Sequence, residues 1–395
     1  MGSGKSSWAI QHMKDNPETS FIYVTPTLTE IQRVIHEVSG PGRKVIEPLN
    51  RGKGKKESLK NLLAQGCDIV CTHELFKAID PEVVSLIADG EYELIIDEAM
   101  NVFNVQKLSK QDDLQVMTRA GLCSVDANDY IVWSDDKTEW STVYDEWRDL
   151  SIMKSLMYVD ARNLIWKYPA DVFRACKDVY VLTYMFEASS MYPYFHLENL
   201  PYIKKTVQMN DGKLVIGDFQ PAATRPFREL IHIYEGKMND IGQKNTALSQ
   251  RWFECADPST IKQMKNHLDN YFRHITHSKP KEFMWTCYKS SWTKLRGKAS
   301  KNNFLYCNAR GTNDYAERFN LAYTINRYMQ PAEKKFYSHH NVSYDPDLWA
   351  LSSLLQWIWR SRIRKGEEIN LYIPSVRMRG FLTDWMDGNF VQKDK

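Results

Sequence analysis

Gly2-Ser3-Gly4-Lys5-Ser6 limits the possible folds of this chain more than any other stretch. Glycines let backbone N–H groups close on phosphate oxygens, a lysine reaches the β and γ phosphates, and a serine hydroxyl sits on a divalent cation. The helix that follows turns its positive end toward the anion. Such a loop calls for a chain in which strands and helices alternate, and residues 20 to 100 supply the alternation. Phe21-Ile22-Tyr23-Val24 is an apolar, β-branched and aromatic run stopped by Thr25-Pro26. Leu59 to Ala64 is helical and closes at Gly66, Asp68-Ile69-Val70-Cys71 is a buried strand, and Asp80-Pro81 caps a helix ending at Gly90. The next strand, Leu94-Ile95-Ile96, stops on Asp97 and Glu98. Adjacent acids there serve a second purpose of the same chemistry, one carboxylate holding the cation and its neighbour aligning an attacking water.

The remaining sequence sets outer limits. A length of 395 residues implies two or three domains. No apolar run approaches the roughly 20 residues needed to cross a bilayer, and Trp8 to Ile10 is interrupted by Gln11, His12 and Lys14, so a membrane span and a signal peptide are excluded and a cytoplasmic location is expected. Seven cysteines, scattered and without a C-x-x-C pair, argue against a disulfide framework or a zinc ribbon and are read as packing residues. A net charge of +3 gives no independent argument for a nucleic-acid partner. From about 104 to 175 the pattern loosens into a polar stretch with Trp140 and Trp147, read as an insertion in the first domain before the strand Val179-Tyr180-Val181-Leu182. Pro193, Pro201, Pro221 and Pro226 mark an interdomain crossing. Beyond it Asp257-Pro258 opens a helix, strands are expected at Phe283 to Cys287 and Phe304 to Cys307, and a helix through Leu351 to Ile363 precedes a strand at Leu371-Tyr372-Ile373. The expected architecture is α/β, with a domain over 1–200, a crossing over 201–250 and a second domain over 251–395.

At these residues the chain resembles the superfamily 2 helicases and translocases, in the compact form carried by bacteriophages. Leu94-Ile95-Ile96-Asp97-Glu98-Ala99-Met100 looks like that family's D-E-A-D/H motif, with Met100 in the last place. Val24-Thr25-Pro26-Thr27 and Val70-Cys71-Thr72-His73 resemble two strand-end motifs, and Val181-Leu182-Thr183-Tyr184 resembles the coupling motif. Asn308-Ala309-Arg310-Gly311-Thr312-Asn313 is similar to A-R-G-x-D, with Asn313 for the acid. Gln356-Trp357-Ile358-Trp359-Arg360-Ser361-Arg362-Ile363-Arg364 is similar to Q-x-x-G-R-x-x-R, with Trp359 for the glycine and one extra residue before the last arginine.

The resemblance implies two tandem RecA-like P-loop domains with parallel sheets, ATP and Mg2+ as cofactors, and nucleic acid as partner, DNA ahead of RNA, with replication proteins as further partners. It implies that Gly2, Ser3, Gly4, Lys5 and Ser6 hold phosphates, that Ser6 and Asp97 hold the metal, and that Glu98 aligns the water. Arg310 and Gly311 would contact nucleotide, and Gln356, Arg360 and Arg364 would complete the catalytic site. On one helix Arg360 and Arg364 share a face; a rotated helix would present Arg362 instead. Thr25, Pro26, Thr72 and His73 would touch the nucleic-acid backbone, and Thr183 would couple hydrolysis to movement. A full G-x-x-x-x-G-K-S places its first glycine two positions before Met1, so either Met1 is internal to a longer protein or another segment completes the sheet.

Two rivals stand beside this reading. One is a phage DNA-packaging ATPase with a nuclease domain, which needs a cluster of acids on strand ends. The other is a nucleic-acid-binding P-loop protein that does not hydrolyse ATP. Arg51-Gly52-Lys53-Gly54-Lys55-Lys56 reads as a solvated loop before a phosphate contact, and Trp140, Trp147, Trp285 and Trp292 read as core before base-stacking platforms.

Overall fold

The computed structural model describes residues 4–50, 52, 54–77, 79–107, 113–160, 163–221, 223–224, 226–297, 300–309 and 314–390. The chain divides into two compact units, a first comprising Ser3–Asp218 with Gln330–Tyr344 and a second comprising Phe219–Met329 with Asp345–Lys395.

The strands of the first unit are β1 (Phe21–Thr25), β2 (Val45–Ile46), β3 (Asp68–Thr72), β4 (Glu93–Asp97), β5 (Phe103–Lys107), β6 (Cys123–Val125), β7 (Ile131–Trp133), β8 (Leu156–Asp160), β9 (Asn163–Lys167), β10 (Asp178–Leu182), β11 (Lys205–Asn210) and β12 (Lys213–Asp218). Five of them form a parallel sheet in the order β10-β4-β1-β3-β2, with Val24 facing Ile96 on one side and Cys71 on the other. All five residues of β1 are buried, as a parallel strand covered on both faces requires, which is why its sequence is apolar throughout instead of alternating. Helix α1 (Lys5–Asp15) leads into β1, and α2 (Leu28–Val38), α3 (Lys55–Ala64), α4 (His73–Lys77) and α5 (Pro81–Asp89) connect the strands from β1 to β4. Trp8, Ala9, Ile10 and Met13 of α1 and Ile31, Val34 and Val38 of α2 pack on Phe21, Tyr23 and Ile95.

The described residues of 103–107, 113–160 and 163–167 build a small annex rather than a loose loop. β5-β9-β8 is an antiparallel sheet, β6-β7 a hairpin, and Leu114, Met117, Leu122, Ile131, Trp133, Leu156 and Leu164 share a core. Strands of three residues carry too little alternation to be read from sequence.

Two boundaries differ from the sequence expectation. The span 201–250 is not a single crossing, because β11 and β12 form a hairpin of the first unit, docked where the Gln11 amide donates to Leu214 O (3.1 Å) and accepts from Leu214 N (3.2 Å). The hairpin forms its own two-stranded sheet, and among the described residues no segment adds to the parallel sheet beside β10. Gln330–Tyr344, placed by sequence in the second domain, belongs to the first unit, where Phe336 and Tyr337 set ring edges on Phe103 at 5.5 Å.

The second unit holds β13 (Ile231–Ile233), β14 (Phe283–Thr286), β15 (Asn320–Tyr323) and β16 (Ile369–Tyr372) in a parallel sheet of order β13-β16-β15-β14. Asp257 caps helix Pro258–Asn270 through Ser259 N and Thr260 N. Trp285 and Trp357 are fully buried, their indole N–H groups donating to Ser300 O (2.7 Å) and Leu305 O (3.2 Å). The expected strand at Phe304 is a single bridge to Trp285; the strand paired there is β15. The helix expected to reach Ile363 is Pro346–Ile358, stopped where Ser361 N and Oγ both donate to Ile358 O (3.0 and 2.7 Å). No helix among the described residues is long and apolar enough to cross a membrane.

Candidate functional site

At the start of α1, Gly4 takes a left-handed conformation (φ 73°), where a Cβ would be strained, and its carbonyl accepts from Trp8 N at 2.8 Å. Among the described residues no side chain caps this helix, and no acid lies in its first turn, so its N–H groups and dipole are presented to an anion. Lys5 and Ser6 are its first two residues. Ser6 Oγ donates to Asp97 Oδ1 at 3.0 Å, joining α1 to the end of β4. Burial lowers the Lys5 ammonium from its ordinary value, and the nearby charges of Asp97 and Glu98 oppose that shift. Burial foremost, then the charge of Glu30, pushes the Asp97 carboxyl up to about 6, against the Ser6 hydrogen bond.

Glu98 is left-handed (φ 60°) without being glycine, and its N–H donates to Leu182 O of β10 at 3.1 Å. From the other side His73 Nε2 donates to Asp97 O at 3.0 Å. The β4 end is therefore clasped between β10 and α4.

These residues fit a hard divalent cation. A hydroxyl and a carboxylate in direct contact are the oxygen donors Mg2+ uses when waters and phosphate oxygens complete its shell. A cation entering between Ser6 and Asp97 would also lower the carboxyl that burial has raised.

Other expected site residues fall differently. Gly2, Ser3, Arg310 and Gly311 lie outside the described residues. Thr25 is wholly buried and His73 nearly so, and in this structure neither presents a surface to a nucleic-acid backbone. Thr72 Oγ1 accepts from Leu75 N (3.2 Å), capping α4, while Pro26 is half-buried ahead of α2. Thr183 donates its N–H to Val181 O (3.1 Å), one residue past Leu182.

In the second unit, Gln356 Nε2 donates to Ser352 Oγ of its own helix (3.3 Å). The idea that Arg360 and Arg364 share a helix face is corrected, because the helix ends at Ile358 and Arg362–Lys365 is a separate 3-10 turn. Arg364 is exposed and Arg360 half-buried. Arg362 lies 4.2 Å over the Phe319 ring and donates from Nε to Glu368 O (2.6 Å), a packing role.

Of the basic stretch expected as a loop, Lys55 and Lys56 open α3 and are paired with Glu47 (3.2 Å) and Asp80 (2.8 Å). Trp285 is core, Trp147 packs on the annex core, Trp292 carries Arg296 over its ring at 4.4 Å, and Trp140 is exposed beneath Lys137 at 5.6 Å. Sequence reasoning missed Glu30 and Arg33, whose charges act on Asp97, and Tyr23, on which the Asp97 charge acts. For Tyr23 a signal existed, a hydroxyl two residues before Thr25 in an otherwise apolar strand.

Two parallel-sheet units, the first with an anion-ready helix end and an acid pair at the end of β4, define an α/β protein. The chain belongs to the YonV family. It is 37% identical over 402 residues to the SPbeta prophage-derived uncharacterized protein YonV of Bacillus subtilis (strain 168), across 98% of this chain and 97% of that protein. Family models of the YonV middle domain and the YonV C-terminal Rossmann-like domain match residues 104–166 and 225–386. Similar solved structures include one titled XPD_Helicase, with 11% identity over 96% of this chain and 97% of that one at a TM-score of 0.46. Another is the structure of S. tokodaii Xpd4, with 11% identity over 97% and 92% at 0.47.

Proposed function

We propose that this protein is a phage-type ATP-dependent nucleic-acid translocase or helicase. The observation that carries the reading is the Ser6 to Asp97 contact at 3.0 Å beside Lys5 and Glu98, at the uncapped start of α1. Lys5 and the α1 N–H groups hold phosphates with Gly4, Ser6 and Asp97 hold Mg2+, and Glu98 aligns the attacking water. When bound, the cation supplies positive charge against the phosphoryl oxygens. Arg360 and Arg364, with Gln356, meet the developing charge, and Arg310 and Gly311 touch nucleotide. Pro26 and Thr72 meet the nucleic-acid backbone, and Thr183 couples hydrolysis to movement. The order of these segments along the chain supports the assignment.

The test is phosphate release by the full chain with and without single-stranded DNA or RNA, for wild type and Glu98→Gln. Stimulation by nucleic acid is expected, as is a loss of turnover in the variant of roughly a hundredfold or more with nucleotide affinity kept. Undiminished hydrolysis in Glu98→Gln sinks the assignment of Glu98. Tight nucleic-acid binding with no turnover in wild type favours the non-hydrolysing rival. The packaging rival has no matching observation: among the described residues no three His, Cys, Asp or Glu stand together as a metal cluster.

A further inference from the structure

This inference rests on the nucleotide reading of the same site and concerns two hydroxyls outside its motifs. Tyr23 and Thr25 lie two residues apart on β1, so their side chains share one face of the sheet. Tyr23 packs there with Trp8 of α1 and Ile95 of β4, so this is the α1 face. Asp97, two residues beyond Ile95, points the same way and is met there by Ser6. Thr25 stands one step beyond the Val24 to Ile96 pair, which sets it beside Asp97. Asp97, Glu30, Arg33 and Ser6 are the polar groups whose influence reaches the Tyr23 hydroxyl.

Both side chains are wholly buried; Thr25 Oγ1 has no hydrogen-bond partner, and Tyr23 Oη has only the Ser6 hydroxyl in reach, with no hydrogen bond of good geometry to it. A buried hydroxyl without a partner is a net cost that phenylalanine or valine of similar shape would avoid. Two such groups on one face, beside an all-oxygen donor pair, point to a partner that arrives with the ligand. Mg2+ gives up its waters reluctantly, so a site with one carboxylate and one hydroxyl keeps several of them. Those waters are donors that need acceptors fixed by the protein, and such outer partners tune metal affinity.

We propose that Tyr23 and Thr25 are positioning residues that receive the waters of the hydrated divalent cation held by Ser6 and Asp97. Their hydroxyls neither bind the metal directly nor touch the phosphate. They orient the hydration shell, so their contribution exists only when cation and nucleotide are present together.

The test compares full-length wild type with Tyr23→Phe, Thr25→Val and the hydroxyl-keeping Thr25→Ser. Calorimetry measures ADP binding with Mg2+ and with EDTA, electron paramagnetic resonance follows Mn2+ binding in the presence of ADP, and thermal melts record the ligand-free protein. Ligand-free Tyr23→Phe and Thr25→Val are expected to melt at or above wild type, and ADP binding in EDTA is expected to stay within about twofold. The gain in affinity conferred by Mg2+ or Mn2+ should fall roughly 10- to 100-fold in each, with Thr25→Ser near wild type. Lower melting of the ligand-free variants with an undiminished metal-dependent gain makes the hydroxyls structural and overturns the inference alone. Wild type that shows no metal-dependent nucleotide binding overturns the nucleotide reading and this inference with it.

Discussion

At Glu98 the backbone is held in a conformation that its side chain disfavours. A non-glycine residue in the left-handed region costs about 1–2 kcal/mol, and here it is fixed by the Glu98 N–H to Leu182 and by the His73 bond to the preceding carbonyl. The strain aims a carboxylate away from the line of the strand, beside Lys5 and Asp97. Glu98→Gly is therefore expected to be as stable as wild type or up to about 1 kcal/mol more stable in urea unfolding, while hydrolysis is lost. A loss of stability above about 1 kcal/mol would mean that the Glu98 side chain itself holds the strand end. Arg43 shows the opposite balance, with every group satisfied. Its guanidinium grips Asp68 with two nitrogens (2.8 and 3.0 Å) and donates to the carbonyls of Met13, Asn16 and Thr19, tying the end of α1 to β3. Lysine keeps the charge but not the fork, so Arg43→Lys should lower stability by at least about 2 kcal/mol in the same measurement. A change under about 0.5 kcal/mol would show that the network is redundant.

At the scale of elements, α5 shows how a local signal becomes a measurable pH dependence. Burial pushes the Asp80 carboxyl up, but hydrogen bonds from Lys56, Lys60 and Val83 N outweigh it and hold it down to about 2 from the usual 3.8. A carboxyl lowered on folding stabilises the protein above its unfolded value, and that contribution disappears as pH falls through the folded value. Asp80→Asn keeps a capping oxygen but loses the charge for both lysines. It should therefore be less stable than wild type above about pH 4 and converge with it as pH approaches 2, read by denaturant midpoints across that range. A difference that stays constant with pH would assign the effect to cap geometry instead of charge.

At the scale of the whole molecule, Lys5, Ser6, Asp97 and Glu98 lie in the first unit and Gln356, Arg360 and Arg364 in the second. Mg2+ and ADP are expected to slow amide exchange at 4–15, 21–25 and 93–98. An ADP–fluoroaluminate complex, which mimics the transferring phosphoryl group, should add protection at 356–365 if the arginines act in the transition state. Arg360→Ala and Arg364→Ala would then lower turnover roughly a thousandfold with little change in ADP affinity. Arg362→Ala should instead lower stability, since its stacking on Phe319 and its bond to Glu368 O are packing. Unchanged exchange at 356–365 together with near-normal rates in the first two variants would remove this segment from the site.

The sequence alone determined what depends on neighbours along the chain. The apolar runs of β1, β3 and β4, the Asp80-Pro81 and Asp257-Pro258 helix starts, and the lysine, serine and acid pair were legible because caps, breakers and strand runs are local. Tertiary structure decided the rest. β15 is strand because β14 and β16 pair with it on both sides, and Pro331–His339 sits in the first unit because Phe103 offers its aromatic pair a partner far away in sequence. Thr25 shows the division within one residue: its position at a strand end was readable, but its burial beside Asp97 follows from a strand register that no local pattern encodes.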